Sequence, residues 1–135
     1  MYKYNVINND QYPTILAELK REGYLIYELD TFGIVDIKTI YGQLIELLPI
    51  GIPLSGNVHW DAFLDSAWEG LTEQPNKEIT LIWHGSECIL NKKLSDFLIV
   101  FETLCDLSTQ LAKAFPGGYS LVIYLTGSEE NYSLT

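Results

Sequence analysis

The order of residue types along this chain predicts an α/β fold with a small three-stranded parallel sheet packed by helices. Three observations carry that prediction. Three short runs are rich in β-branched and aromatic residues: YLIYELD at 24–30, ITLIW at 79–83 and YSLVIYL at 119–125. Between them, apolar residues recur at steps of three and four, the period of a helix with one buried stripe. Strands separated by helices are joined in parallel, because a helical crossover returns the chain to its starting edge. With 135 residues and 47% hydrophobic content, the chain suits one compact domain with a sizeable core.

Residues 1–11 are polar and suggest no firm element. From Pro13 onward, Tyr12, Ile15, Leu16 and Leu19 share a face and Gly23 supplies a stop, so 13–22 reads as a short helix. The first strand, 24–30, ends at the turn-prone Thr31, Phe32 and Gly33. Asp36 is a good N-cap for a helix carrying Ile37, Ile40, Tyr41, Leu44, Ile45 and Leu48, and Pro49 ends it. The stretch 49–58, PIGIPLSGNV, holds two prolines and two glycines and reads as a loop. A helix over 59–71 follows, and Thr72 to Glu78 is a polar connection into the second strand. His84 to Lys93 reads as a further connection. Leu94, Phe97, Leu98, Phe101, Leu104, Cys105, Leu111, Ala112 and Phe115 form a long helical stripe that stops at Pro116, Gly117 and Gly118. After the third strand the tail is polar, and mobility is expected there.

The helix over 59–71, HWDAFLDSAWEGL, carries the most information. Trp60, Phe63, Leu64, Ala67, Trp68 and Leu71 make its apolar stripe, while Asp61, Asp65 and Glu69 stack four apart into an acidic ridge. Like charges at that spacing repel by a few tenths of a kcal/mol per pair, so the ridge costs the isolated helix something. Asp61 regains part of this from the positive end of the helix dipole. Trp68 projects only about 20° from Asp61 around the helix, at the seam between stripe and ridge, where it suits either a half-buried core position or a contact anchor.

Charge narrows the partners. Eighteen acidic and eight basic side chains give a formal net charge of −10, which repels phosphates and argues against direct nucleic-acid binding. No Lys or Arg occurs between Lys38 and Lys77, yet Glu46, Asp61, Asp65, Glu69 and Glu73 all fall in that interval. Such a field favours encounter with a basic protein. No run of about 18 apolar residues occurs, and MYKYNVINND lacks the apolar segment of a secretion signal, so a cytoplasmic chain without a membrane partner is expected. In that compartment Cys88 and Cys105 read as free thiols.

Enzyme chemistry finds little purchase in these residues. His59, His84 and Cys88 lack the paired close ligands of a structural zinc site. Ser86, in HGSEC, has no surrounding GxSxG and no identifiable orienting acid. Asp61 and Asp65 could act as an acid and base only within a pocket that keeps one of them protonated. Gly117 and Gly118 precede a strand and not a helix start, unlike a phosphate-cradling loop. No cofactor, metal or catalytic residue is therefore expected, and a small hydrolase using Ser86, the histidines or the carboxylates is the weakest alternative.

With the segment Trp60-Asp61-Ala62-Phe63-Leu64-Asp65 in view, the chain resembles the barstar family, intracellular inhibitors of barnase-type ribonucleases. That segment is similar to the family's W-D-A-[FL]-x-D motif. YELD at 27–30, the helix and proline-containing loop before the motif, LIW at 81–83, the long helix and the last strand follow the family's order over roughly 24–125. The resemblance implies an N-terminal extension over 1–22, a barstar-like domain over 23–126 and a polar tail over 127–135. It also implies a bacterial inhibitor or immunity protein whose acidic helix and preceding loop block the active site of a basic ribonuclease. Carried over by position, Asp65 would stand where substrate phosphate sits, and Asp61 would make a second charged contact. The loop from Leu54 to Val58, including Asn57, and the helix end around Trp68 and Glu69 would border the contact.

The chain departs from the family in places. Gly56, Asn57, Val58 and His59 replace an aromatic-Gly-x-Asn lead, Leu64 stands at a position that can be an interface Trp, and Thr103 replaces an acidic contact, with Glu102 adjacent. Such peripheral changes imply a different cognate partner, because specificity often resides outside the shared central charge. A barstar-like interaction domain whose partner is no nuclease is the alternative.

Overall fold

The computed structural model describes residues 4–54, 56–114 and 118–127. Four parallel strands form one sheet: β1 (Tyr4–Ile7), β2 (Leu25–Asp30), β3 (Glu78–His84) and β4 (Ser120–Thr126), in the order β1-β4-β3-β2. The class is the expected one, but the strand count is four and not three. The additional strand lies in the segment read as an extension: Tyr4 to Ile7 pair with Ile123 to Thr126. Four residues followed by Asn8, Asn9 and Asp10 are too short a run to announce a strand, and only β4 defines it.

Five helices connect the strands: α1 (Tyr12–Arg21), α2 (Ile37–Leu47), α3 (Trp60–Thr72), α4 (Ser86–Lys92) and α5 (Leu94–Ala112). The stretch 84–93, expected as a connection, folds into α4, which buries Ser86, Ile89 and Leu90. At seven residues it is too short to show helical periodicity clearly. The long stripe becomes α5, which ends at Ala112; Phe115, Pro116 and Gly117 lie outside the described residues, as does the tail from Ser128.

Chain direction explains how the helices are distributed. The path from β1 to β2 crosses the whole sheet one way, and β2 to β3 to β4 returns. Right-handed crossovers then put α1 on one face and the remaining helices on the other. The contacts agree: Tyr12 of α1 bonds Glu28, whereas α2 packs on β2 and α5 packs on β4, α3 and α4.

The main core lies on the second face. Leu29, Ile79, Leu81, Trp83, Leu121, Ile123 and Leu125 alternate out of the strands toward Ile40, Leu44, Phe63, Leu71, Phe97 and Leu104 of the helices. Trp83 is fully buried, stacks on Phe97 at 5.4 Å between ring centroids, and donates its indole N–H to Thr31 Oγ1 at 2.8 Å. A buried indole N–H left without an acceptor would cost about 1–3 kcal/mol, which explains a fully buried Thr at position 31. Both cysteines are free, Cys88 half-buried on α4 and Cys105 buried on α5. Burial, with help from the charges of Asp106 and Glu102, pushes the Cys105 thiol up to about 12. No described helix is long and apolar enough to cross a membrane.

Candidate protein interface

The acidic helix is held by its two ends and by its neighbouring loop. His59 caps α3: its Nδ1 accepts from Ala62 N at 3.0 Å, and its carbonyl receives the Tyr41 hydroxyl at 3.3 Å. At the far end, the Tyr119 hydroxyl donates to Thr72 O at 2.7 Å, tying the helix to the approach to β4. Along its length, Gly51 N donates to Ser66 O at 3.0 Å and Ser66 Oγ donates to Ile52 O at 2.7 Å. The loop also crosses Gly70 so closely that a Cβ there would fall 1.9 Å from Pro49 O. Only glycine leaves room for that approach.

These contacts settle which side chains face outward. Phe63, Ser66, Ala67, Gly70 and Leu71 are buried. Trp60 and Leu64 are half-buried against the core, and Trp60 packs edge-on to Tyr41 at 5.0 Å. Asp61 and Asp65 are exposed one turn apart, Glu69 is half-exposed, and Trp68 is 36% exposed at the margin of the ridge. Ser66 and Gly70 were missed as buried positions because neither is apolar; the close passage of the loop is what buries them.

Among the described residues, no side-chain hydrogen bond or ion pair engages Asp61 or Asp65. The ridge is therefore available to an outside cation. Beside Asp65 opens a cavity of about 270 Å³, lined by Tyr41, Ile52, Leu54, His59, Ala62 and Ser66 among others. Ile52, 52% exposed, edges it, so the carboxylate stands between polar solvent and an apolar recess. A charge-assisted bond made there would be strengthened as a partner displaces water.

The remaining expected positions are more scattered. Asn57 is exposed and Val58 half-buried against the core, both on the loop; Ser55 lies outside the described residues. Glu102 is exposed on α5, the helix that α3 packs against, and among the described residues no hydrogen bond ties it to the ridge. Thr103 turns its hydroxyl back to Ile99 O at 2.7 Å.

The histidines and Cys88 serve separate local roles. His59 is a cap, His84 ends β3, and Cys88 Sγ accepts from Gly33 N at 3.2 Å. Among the described residues no group of three or more His, Cys, Asp or Glu is placed to hold a metal. Ser86 is fully buried at the start of α4.

One polar network had no signal in the residue pattern. At the carboxyl ends of β2 and β3, Glu28 Oε1 accepts from the Tyr12 hydroxyl and meets His84 Nε2 at 3.0 Å, while Tyr12 lies edge-on to the His84 ring at 4.7 Å. Hydrogen bonding to Glu28, then burial and the carboxylate charge, push the Tyr12 phenol up to about 12. Burial alone would raise Glu28, but the bonds from Tyr12 and His84, with the charges of His84 and Lys20, outweigh it and hold the carboxyl below its ordinary value. Only the register, which sets Glu28 beside Ile82 and Asp30 beside His84, brings these residues together. Comparison of the chain with family models, with curated proteins and with solved structures returned no match.

Proposed function

We propose that this chain is a barstar-like, non-enzymatic inhibitor or immunity protein that blocks the active site of a basic ribonuclease or ribonuclease toxin inside a bacterial cell. The observation that carries the reading is the exposed, unengaged pair Asp61 and Asp65 on a helix locked to its preceding loop, with a recess beside Asp65. A ribonuclease active site gathers Lys, Arg and His to bind phosphate. A rigidly presented carboxylate substitutes for that phosphate, and little conformational freedom is lost on binding. Trp68, Glu69, Leu64, Asn57, Val58 and Glu102 surround the charged centre and adjust the choice of partner.

The test is RNA cleavage by a panel of basic ribonucleases and ribonuclease toxins, titrated with the wild type and with the Asp61→Asn, Asp65→Asn double variant. Stoichiometric inhibition by the wild type, weakened at least about a hundredfold in the variant, supports the reading. Binding through the same carboxylates without inhibition transfers the helix to a non-nuclease partner. Equal inhibition by both proteins removes the ridge from the mechanism.

A further inference from the structure

We propose that the free edge of β2 docks an extended basic segment of a partner protein, taken up as a fifth strand. β2 is an outer strand of the sheet. Soluble proteins usually blunt such an edge with charged side chains, especially Lys, or with Pro, a bulge or a very short strand. β2 has no Lys, Pro or bulge and runs six residues, LIYELD, in unbroken register with β3, whereas the opposite edge, β1, has four; its charged side chains are Glu28 and Asp30, which deter another acidic edge but not a basic one.

The direction of its main-chain groups follows from alternation. Thr31 N donates to His84 O across the β3 side at 2.9 Å. Two-residue periodicity then turns the N–H and C=O groups of Leu25, Tyr27 and Leu29 toward β3, and those of Ile26, Glu28 and Asp30 outward. Among the described residues, Asp30 O accepts from Gln43 Nε2 at 3.3 Å, which marks where an added strand would end.

Charge selects the occupant. Glu28 and Asp30 are exposed on the α1 side of the edge, and the Glu28 side chain keeps 39% exposure although Tyr12 and His84 both bond its Oε1. Between the edge and α2 lies a groove of about 390 Å³ lined by Glu28, Leu29, Asp30, Gln43, Glu46 and Leu47, with no Lys or Arg. Two copies of this chain joined through their β2 edges would bring Glu28 and Asp30 of each against those of the other, which like-charge repulsion disfavours. An alternating basic and apolar strand fits both sides at once. Its basic side chains meet Glu28 and Asp30 while its apolar ones cover the half-buried Leu47, and main-chain bonds supply affinity.

The experiment is hydrogen exchange of the full chain with and without a capped peptide of alternating lysine and valine, matched to the six-residue length of β2. Exchange at the amides of Ile26 and Glu28 is expected to slow at least about tenfold at saturating peptide. A peptide of the same charge, N-methylated at alternate residues so that one edge cannot bond, should give no protection; nor should a glutamate–valine peptide. The Asp61→Asn, Asp65→Asn double variant should respond like the wild type, since α3 takes no part. No protection at millimolar peptide, equal protection by the N-methylated peptide, or loss of the effect in the double variant would overturn the proposal.

Discussion

A carboxylate standing free on a helix contributes little to folding and is available for binding, and Asp65 is in that position. It has no hydrogen bond or ion pair among the described residues, and its neighbours along the ridge are Asp61 and Glu69. Asp65→Ala removes like-charge repulsion and introduces the best helix former, so stability should stay level or rise by up to about 0.5 kcal/mol. If Asp65 anchors the proposed ribonuclease complex, affinity for that partner should fall by at least about 2 kcal/mol, the scale of a binding hot spot. Urea denaturation and calorimetric titration check the two halves separately; a loss of affinity that tracks a loss of stability would mean a structural role. Glu28 behaves oppositely, because its charge is used inside the molecule. Its folded value lies below 4.5, so its contribution is present above that pH and is lost as pH falls through the folded value. Tyr12 is raised from 10.0 to about 12, so its contribution is full below pH 10 and disappears between 10 and about 12. Both groups are partly exposed and screened, so each effect is small. Urea midpoints against pH should flatten on the acid side in Glu28→Gln and on the alkaline side in Tyr12→Phe. Asp61, Asp65 and Trp68 were legible in the sequence because a four-residue repeat is visible within one helix. Glu28 and His84 were not, since only strand pairing joins residues 56 positions apart.

The elements differ in how far local residues define them. α2 and α3 announce themselves by caps and stripes, and Asp36 does accept from Lys38 N at 3.3 Å as an N-cap should. His59 is a less common cap, yet its Nδ1 does the same work for α3. β1 and α4 were missed for a shared reason: each is too short for its period to repeat, so tertiary pairing decides its state. The loop over 49–58 was recognisable by its prolines and glycines, but its attachment to α3 was not, because that depends on which glycines face a neighbouring backbone. Two helical glycines separate the cases. Gly42 is exposed on α2 with nothing within 4 Å of an added Cβ, so Gly42→Ala should stabilise the chain by about 0.5–1 kcal/mol through helix propensity. Gly70→Ala gains the same propensity but drives Cβ into the Pro49 carbonyl. It should destabilise by about 1–3 kcal/mol and loosen the loop around Ile52. Thermal denaturation of the pair decides it: equal shifts would mean that the loop yields freely and does not hold α3.

For the whole molecule, the decisive quantity is where the charge sits. The formal net charge is −10, and the interval between Lys38 and Lys77, which contains α3 and most of α2, has no basic side chain. Nothing within that stretch neutralises the field of Asp61, Asp65, Glu69 and Glu73, and the parallel sheet and α5 behind α3 keep the helix outward. A field of this kind acts at long range before contact and at short range after it, and salt separates the two. Raising ionic strength from about 0.1 M to about 1 M shortens the screening length from about 10 Å to about 3 Å, which removes steering while leaving desolvated contacts largely intact. Association with the proposed basic ribonuclease partner should therefore slow at least about tenfold across that range, and dissociation should change less than about threefold. Stopped-flow mixing measures the first rate and competition with unlabelled protein the second. In the Asp61→Asn, Asp65→Asn variant the salt slope of association should shrink only in part, because Glu46, Glu69 and Glu73 still supply field, while dissociation accelerates sharply because the central contact is gone. An association rate independent of salt would place the origin of binding in shape and apolar contact, and would leave the uneven distribution of charge without a role in finding the partner.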